Sequence, residues 1–295
     1  MENKSSMTSQ KLRGGYYTPS IMSDFLTKWA LAGNPSRILE PSVGDGSFLQ
    51  SIFKTANPSK IQNITAIEFD SKELEKMKKM VKKFPEFKDK CVLKRADFFS
   101  YFNTNLKKEK FGAVIGNPPF IRYQYFEEKQ RDEALKIIRS AGLNDTKLTN
   151  IWAPFLVAGM LSLQSGGRLA MIIPAEMLHV NYGSNIRLFL SKFPALITLI
   201  AFKKLVFPNV QQEIFLLLIE KNNTHENSLQ KELFSAKINM IELENFEELK
   251  ALDLRRIDSL DYKKIKGTGD KWTKFFLSKK ELKELEKAQN NLNIS

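Results

Sequence analysis

Apolar positions recur along this chain with two alternating periods. Ile21, Phe25, Leu26 and Trp29 share one face of a helix, which Thr18 can cap, Pro19 can begin and Gly33 can stop. Arg37-Ile38-Leu39-Glu40 then reads as a short buried strand, and Phe48, Leu49, Ile52 and Phe53 give a following helix its apolar stripe before Pro58. The alternation continues with a strand at Ile64–Ile67, a lysine-faced helix from about Ser71 to Lys83, and strands at Val92-Leu93 and Gly112–Ile115. Strand and helix in strict succession predict an α/β sheet of parallel strands with helices on both faces.

Downstream the rhythm changes. A charged stretch, Glu127–Arg139, precedes an apolar helix over Ile151–Leu163, which Gly166-Gly167 should end. Leu169–Ile173 reads as another buried strand, closed by Pro174. Leu196–Phe202 and Ile214–Ile219 are consecutive strands separated by the turn-rich Phe207-Pro208-Asn209, and are therefore predicted to be antiparallel. The expected fold class is α/β, a mostly parallel sheet with an antiparallel final strand. The expected organisation is a flexible N-terminus (1–14), a catalytic domain (15–222) and an extension (223–295). That extension runs from a polar loop through Ile238–Leu243 and Glu244–Leu254 to a Lys-rich helix from about Ser278, with too little apolar content for a second full domain.

Composition alters this picture mainly through charge. Apolar (42%) and charged (27%) fractions are ordinary, but 46 Lys and Arg against 33 Asp and Glu give a net charge of +13. That balance suits a polyanionic partner, with nucleic acid first, although lysine serving only as a solubilising residue explains it equally. The one cysteine, Cys91, allows no internal disulfide. No secretory h-region and no membrane-length apolar run occur, so a cytoplasmic protein without membrane attachment is expected. His179 and His225 are far apart and lack ligand-spaced partners, so no metal site is expected.

The candidate chemistry lies where strands end. Glu40-Pro41-Ser42-Val43-Gly44-Asp45-Gly46 occupies a strand-to-helix turn whose two glycines let backbone approach a ligand, as in nucleotide-binding turns; a tight turn without a ligand is the plain alternative. An acidic residue before the glycines suits an ammonium better than a pyrophosphate. Glu68, ending the second strand, stands where a carboxylate accepts from a ribose diol, or else it simply faces water. Asp97-Phe98 offers an acceptor for an adenine amino group and a ring for its face. Most specific is Asn117-Pro118-Pro119-Phe120 after the fourth strand. The Asn117 side-chain oxygen and the Pro118 carbonyl can each accept one N–H of an exocyclic amine, drawing its lone pair out of the ring, while Phe120 supplies a stacking face. Consecutive prolines stiffen the loop.

In this order the motifs resemble the gamma class of DNA amino methyltransferases of restriction-modification systems, over roughly residues 11–220. The resemblance implies a Rossmann-like S-adenosylmethionine-dependent methyltransferase fold and transfer of a methyl group to the N6 amino group of an adenine flipped out of double-stranded DNA. It implies that Thr18 and Glu40 contact the methionine part of the cofactor, Glu68 and Phe69 its ribose and adenine, and Asp97 and Phe98 its adenine, with Tyr17, Ser42, Gly44 and Gly46 also binding the cofactor. Asn117, Pro118, Pro119 and Phe120 would hold the target base. Phe207 would cover the base's second face, the alternative being a ring tucked into the sheet edge. Arg122-Tyr123-Gln124-Tyr125 reads as a DNA-facing loop or as packing. Asp270–Leu285 resembles the connector toward a target recognition domain, so a separate specificity module is the expected partner. Methylation of an RNA base amine or a protein glutamine amide shares the Asn-Pro-Pro loop and stands as the alternative.

Overall fold

The computed structural model describes residues 18–144, 150–178, 183–203, 213–222, 236–265 and 271–272. The first element among the described residues is helix α1 (Ser20–Leu31). Pro19 takes the N-cap position and no side chain caps the helix, so the capping expected of Thr18 is not made. Then β1 (Arg37–Glu40), α2 (Ser47–Thr55), β2 (Asn63–Glu68), α3 (Ser71–Val81), β3 (Cys91–Arg95), the short α4 (Phe98–Tyr101) and β4 (Phe111–Gly116) follow in the expected rhythm. The charged stretch is helix α5 (Glu128–Ser140), whose Ala134, Ile137 and Ile138 are its buried stripe. Helix α6 (Trp152–Ser162) is apolar all round because it is buried all round.

Strand β5 (Leu163–Pro174) begins earlier than the periodicity indicates. Gly166 and Gly167 lie inside it rather than ending α6. Gly166 takes φ +69°, and the register against β4 shifts between Phe111 and Ala113. A glycine with positive φ permits such an irregularity without breaking the strand. After α7 (Gly183–Ser191), β6 (Ala195–Phe202) and β7 (Ile214–Lys221) pair antiparallel, and β7 inserts between β5 and β6.

The sheet continues past residue 222, where composition places the domain edge. Strand β8 (Lys237–Leu243) runs parallel to β6, and β9 (Lys263–Lys264) closes on β8. Leu249 of α8 (Phe246–Ala251) and Ile257 of α9 (Leu254–Asp258) are buried in the same core. Few apolar residues suffice there, because an edge strand adds to an existing sheet instead of founding a new core. Among the described residues the sheet has nine strands in the order β3-β2-β1-β4-β5-β7-β6-β8-β9, mostly parallel at the N-terminal side and antiparallel around β7.

Alternate residues of each strand feed two cores. Ile38, Ala113, Ile115, Leu216 and Leu218 pack toward α1 and α2, whereas Leu39, Val114, Leu217 and Ile219 pack toward α5 and α6. Burial on both faces explains why the central strands read as unbroken apolar runs. Such packing leaves function to the carboxyl ends of β1, β2, β3 and β4, where the chain must turn through loops. Among the described residues no helix is long and apolar enough to cross a membrane.

Candidate functional site at the strand tips

A cleft of about 600 Å³ opens at these carboxyl ends, lined by Ser42, Gly44, Asp45, Glu68, Phe69, Asp97, Asn117 and Pro119 among others. Thr18 reaches it from the chain before α1. Among the described residues its walls carry the carboxylates of Asp45, Glu68, Asp70, Glu73, Asp97 and Glu127 against a single guanidinium, Arg95. A chain of net charge +13 thus presents an acidic cleft, a poor place for phosphates and a good one for a cationic ligand.

The β1–α2 turn builds the floor. Val43 N donates to Ile67 O at 3.0 Å, which ties the turn back to β2. Gly44 sits at φ +55° with nothing near its Cα on the side-chain side, so the backbone there faces open cleft. Gly46 does something else. It does not line the cleft; at φ +79° it starts α2, and a Cβ there would lie 2.2 Å from Met77 Sδ of α3. Its glycine is required for backbone conformation and for helix packing. Gly46→Ala is expected to cost about 2 kcal/mol from combined overpacking and φ strain. Thermal denaturation checks this, and pairing the change with Met77→Ala should relieve the clash but not the strain.

Glu40, ending β1, is completely buried, and neither carboxylate oxygen has a hydrogen-bond partner. It lies beneath the cleft wall rather than on it, since Pro41 and Ser42 line the cleft and Glu40 does not. Burial first, and then the negative fields of Asp45 and Glu68, push its carboxyl well above the usual range. An orphaned buried carboxylate at the base of an acidic cleft costs stability unless a cation comes near.

Glu68 is better satisfied. Its Oε2 accepts from Gly44 N at 2.8 Å and its Oε1 from Asp70 N at 2.7 Å. Burial still raises its pKa despite those bonds. Each oxygen keeps a second lone pair for a diol. Phe69 beside it is 61% exposed and lines the cleft.

Asp97 and Phe98 both line the cleft and both make contacts of their own. The Asp97 Oδ2 accepts from Ser100 N at 2.8 Å as the cap of α4, and Oδ1 accepts from Gln130 Nε2 at 3.3 Å. Phe98 is buried, its ring stacked on Phe155 with centroids 4.8 Å apart and planes at 10°. Its face is therefore taken, and it serves as wall. Phe69, in contrast, keeps its ring exposed. Gln130 and Phe155 escaped the sequence reading because one sits in a charged run and the other in a uniformly apolar helix, where nothing distinguishes lining residues from core.

Asn117 follows β4. Its Nδ2 donates to Thr18 Oγ1 at 3.2 Å, and its backbone carbonyl accepts from Ser42 Oγ at 3.3 Å. The backbone is thus held from the β1 loop and the side chain from the segment before α1, and its Oδ1 is left buried without a partner. Thr18, freed from capping, becomes the residue that orients the amide. Pro119 lines the cleft with Asn117, while Pro118 is buried and Phe120 is half-buried against both cores. Tyr123 packs inward, whereas Tyr125 lines the cleft, 63% exposed. Tyr17 and Phe207 lie outside the described residues.

The chain is similar to several known proteins. The chain is 27% identical over 221 residues to the type II methyltransferase M.AccI of Acinetobacter calcoaceticus, covering 74% of this chain and 38% of that protein. It spans less than half the length of the curated relatives it matches. Its fold matches a Listeria monocytogenes protein described as a class I S-adenosylmethionine-dependent methyltransferase, with a TM-score of 0.60 at 16% identity over 87% of this chain and 74% of that one. It also matches the methyltransferase subunit of a type I restriction-modification system from Streptococcus thermophilus, with a TM-score of 0.58 at 16% identity, covering 94% of this chain and 53% of that one. The fold is that of S-adenosylmethionine-dependent methyltransferases. With its glycine turn, its acidic strand ends and its Asn-Pro-Pro-Phe loop all inside the matched residues 24–207, the chain belongs to the Eco57I restriction-modification methylase family.

Proposed function

We propose that this chain catalyses methyl transfer from S-adenosylmethionine to the N6 amino group of an adenine extruded from double-stranded DNA, as the modification activity of a restriction-modification system. The observation that carries the reading is the unpartnered, buried Asn117 Oδ1, held in place through its own Nδ2 at the rim of an acidic cleft.

When bound, S-adenosylmethionine supplies an electrophilic methyl group on a positively charged sulfonium. The residues around the cleft suit such a ligand. Glu40 beneath the floor, with Asp45 and Glu68, favours positive charge, and Gly44 leaves backbone open to close approach. Glu68 is the acceptor for a ribose diol and Phe69 the ring for a purine face.

On the acceptor side, an adenine amine is a weak nucleophile because its lone pair is delocalised into the ring. We assign Asn117 Oδ1 and the Pro118 carbonyl to its two N–H groups. Acceptance of both hydrogens favours a pyramidal nitrogen whose electron pair is available, with no base required beforehand. The orphan acceptor then gains the partner it lacks. Phe120 and Phe207 are assigned to the two faces of the flipped base, offsetting its lost stacking. A specificity module, elsewhere in a longer chain or as a separate subunit, is the proposed partner for target choice.

The test is tritiated methyl transfer with DNA, RNA and protein acceptors, followed by digestion of labelled DNA to nucleosides. Label recovered as N6-methyladenine is the expected result. Label recovered in methylcytosine, RNA or glutamine would replace the adenine assignment.

A further inference from the structure

Among the described residues two large apolar side chains are strongly exposed, Phe69 and Tyr125, and both line the same cleft. Rings left open to water inside a concavity mark surface that a ligand covers. Phe69 is already assigned to the cofactor purine. Tyr125 has no role in that reading.

Connectivity places Tyr125. Asn117 stands at the carboxyl end of β4, and farther along the chain Gln130 Nε2 donates to Asp97 at the end of β3. In the sheet order β3-β2-β1-β4 the ends of β1 and β2 lie between those two anchors, and Tyr125, Phe126 and Glu127 of the connecting segment line the cleft with Gly44 and Glu68. That segment is a strap along the cleft that Gly44 and Glu68 also line.

The strap is pinned on both sides of Tyr125. Ile151 N donates to Ile121 O at 3.0 Å, and Arg122 bridges to Asn150. Tyr125 N donates to Arg122 O at 3.0 Å within a tight turn. The Tyr123 hydroxyl donates to Arg131 O at 3.3 Å, and the Arg131 guanidinium lies 5.9 Å from the Tyr123 ring centroid. A ring presented from a backbone fixed in this way loses little freedom when it stacks.

We propose that Tyr125 is a cofactor-site residue, stacking on the purine of the bound adenosyl ligand and sharing it with Phe69. This rests on the methyl-donor reading above. A purine of the cofactor fits better than a base of the DNA strand for two reasons. The strap is anchored at Asp97, at the β3 end of the cleft and away from Asn117. Glu127, Asp70 and Glu73 also line the cleft that Tyr125 lines, and these carboxylates repel a phosphodiester backbone.

Calorimetric titration of the full chain with S-adenosylhomocysteine, which binds without turnover, tests this with Tyr125→Ala and Tyr125→Phe. The expected result is a Kd about tenfold weaker for the alanine variant and within about twofold of wild type for the phenylalanine variant. Thermal midpoints without ligand should be equal across the three, because the ring is exposed. Wild-type affinity in Tyr125→Ala overturns the proposal, as does equal weakening in both variants, which would mark a role for the hydroxyl. Unchanged cofactor affinity with weakened binding of a DNA duplex assigns the ring to the target strand and also overturns it. If wild type itself fails to bind S-adenosylhomocysteine, the methyl-donor reading falls and takes this inference with it, an outcome distinct from the others.

Discussion

Asn117→Ala is expected to lower methyl transfer by about 10²- to 10³-fold, while the affinity for S-adenosylmethionine stays within about threefold of wild type. The asymmetry follows from what the side chain touches. Its Nδ2 is used on Thr18 and its Oδ1 has no protein partner, so the variant removes an acceptor that only the substrate amine would meet. Truncation also deletes a buried group that costs desolvation without return, so the fold should tolerate it. Asn117→Asp is the sharper control. It keeps an oxygen at the Oδ1 position, and Thr18 can reverse its hydroxyl to donate. It also adds charge to an acidic cleft, so intermediate activity, about tenfold below wild type, is expected. Single-turnover kinetics with cofactor titration separate the two effects. Full activity in Asn117→Ala would remove the mechanism, and a parallel collapse of cofactor affinity would make Asn117 a residue of the donor pocket.

Glu40→Gln should make the ligand-free protein more stable and the cofactor site worse. A buried carboxylate with no hydrogen-bond partner and two carboxylate neighbours is destabilising in its charged form. Replacing it with a neutral isostere should return on the order of 2 kcal/mol near neutral pH, roughly 3 °C in Tm for a chain of this size. The pH dependence carries a definite sign. Because the folded pKa is raised above the unfolded one, the cost of Glu40 is absent below the unfolded carboxylate range and grows as pH rises through the folded value. Stability of the wild-type protein should therefore fall across that window relative to Glu40→Gln, whose curve lacks this component. A cationic ligand favours the charged form, so cofactor binding should release a proton and tighten with pH in wild type. In Glu40→Gln that dependence should flatten, with affinity about tenfold weaker or more. Thermal denaturation across pH, with titrations in buffers of different ionisation enthalpy, reads both effects. A variant less stable than wild type at every pH would mean that Glu40 is satisfied in solution.

Much of this arrangement is visible in the residue pattern, and what is hidden is hidden for identifiable reasons. The strands over Arg37–Glu40, Asn63–Glu68 and Phe111–Gly116 declare themselves as short apolar runs between helices because they are buried on both faces. The charged run at Glu128–Ser140 conceals a helix, since only three buried positions, Ala134, Ile137 and Ile138, mark its inner stripe. Strand β8 is equally quiet. It joins the sheet through backbone pairing with β6, which takes no particular side chain. Phe98 and Phe69 look alike in sequence, each beside an acidic strand end, yet one ring is spent on Phe155 and the other is exposed.

Chain order alone determined the sheet's rhythm and the succession of motifs, because period, turn residues and the Asn-Pro-Pro loop are local properties of the polypeptide. Tertiary packing decided which of those residues face one cleft. Thr18 and Asn117, distant in sequence, meet there. Glu40 sinks beneath the floor, Gly46 is claimed by Met77, and Tyr125 is carried by its strap to the cleft that Gly44 and Glu68 line. The physical reason is that a side chain's partner is set by which strands lie adjacent in the sheet, and adjacency arises only once distant segments have closed on one another.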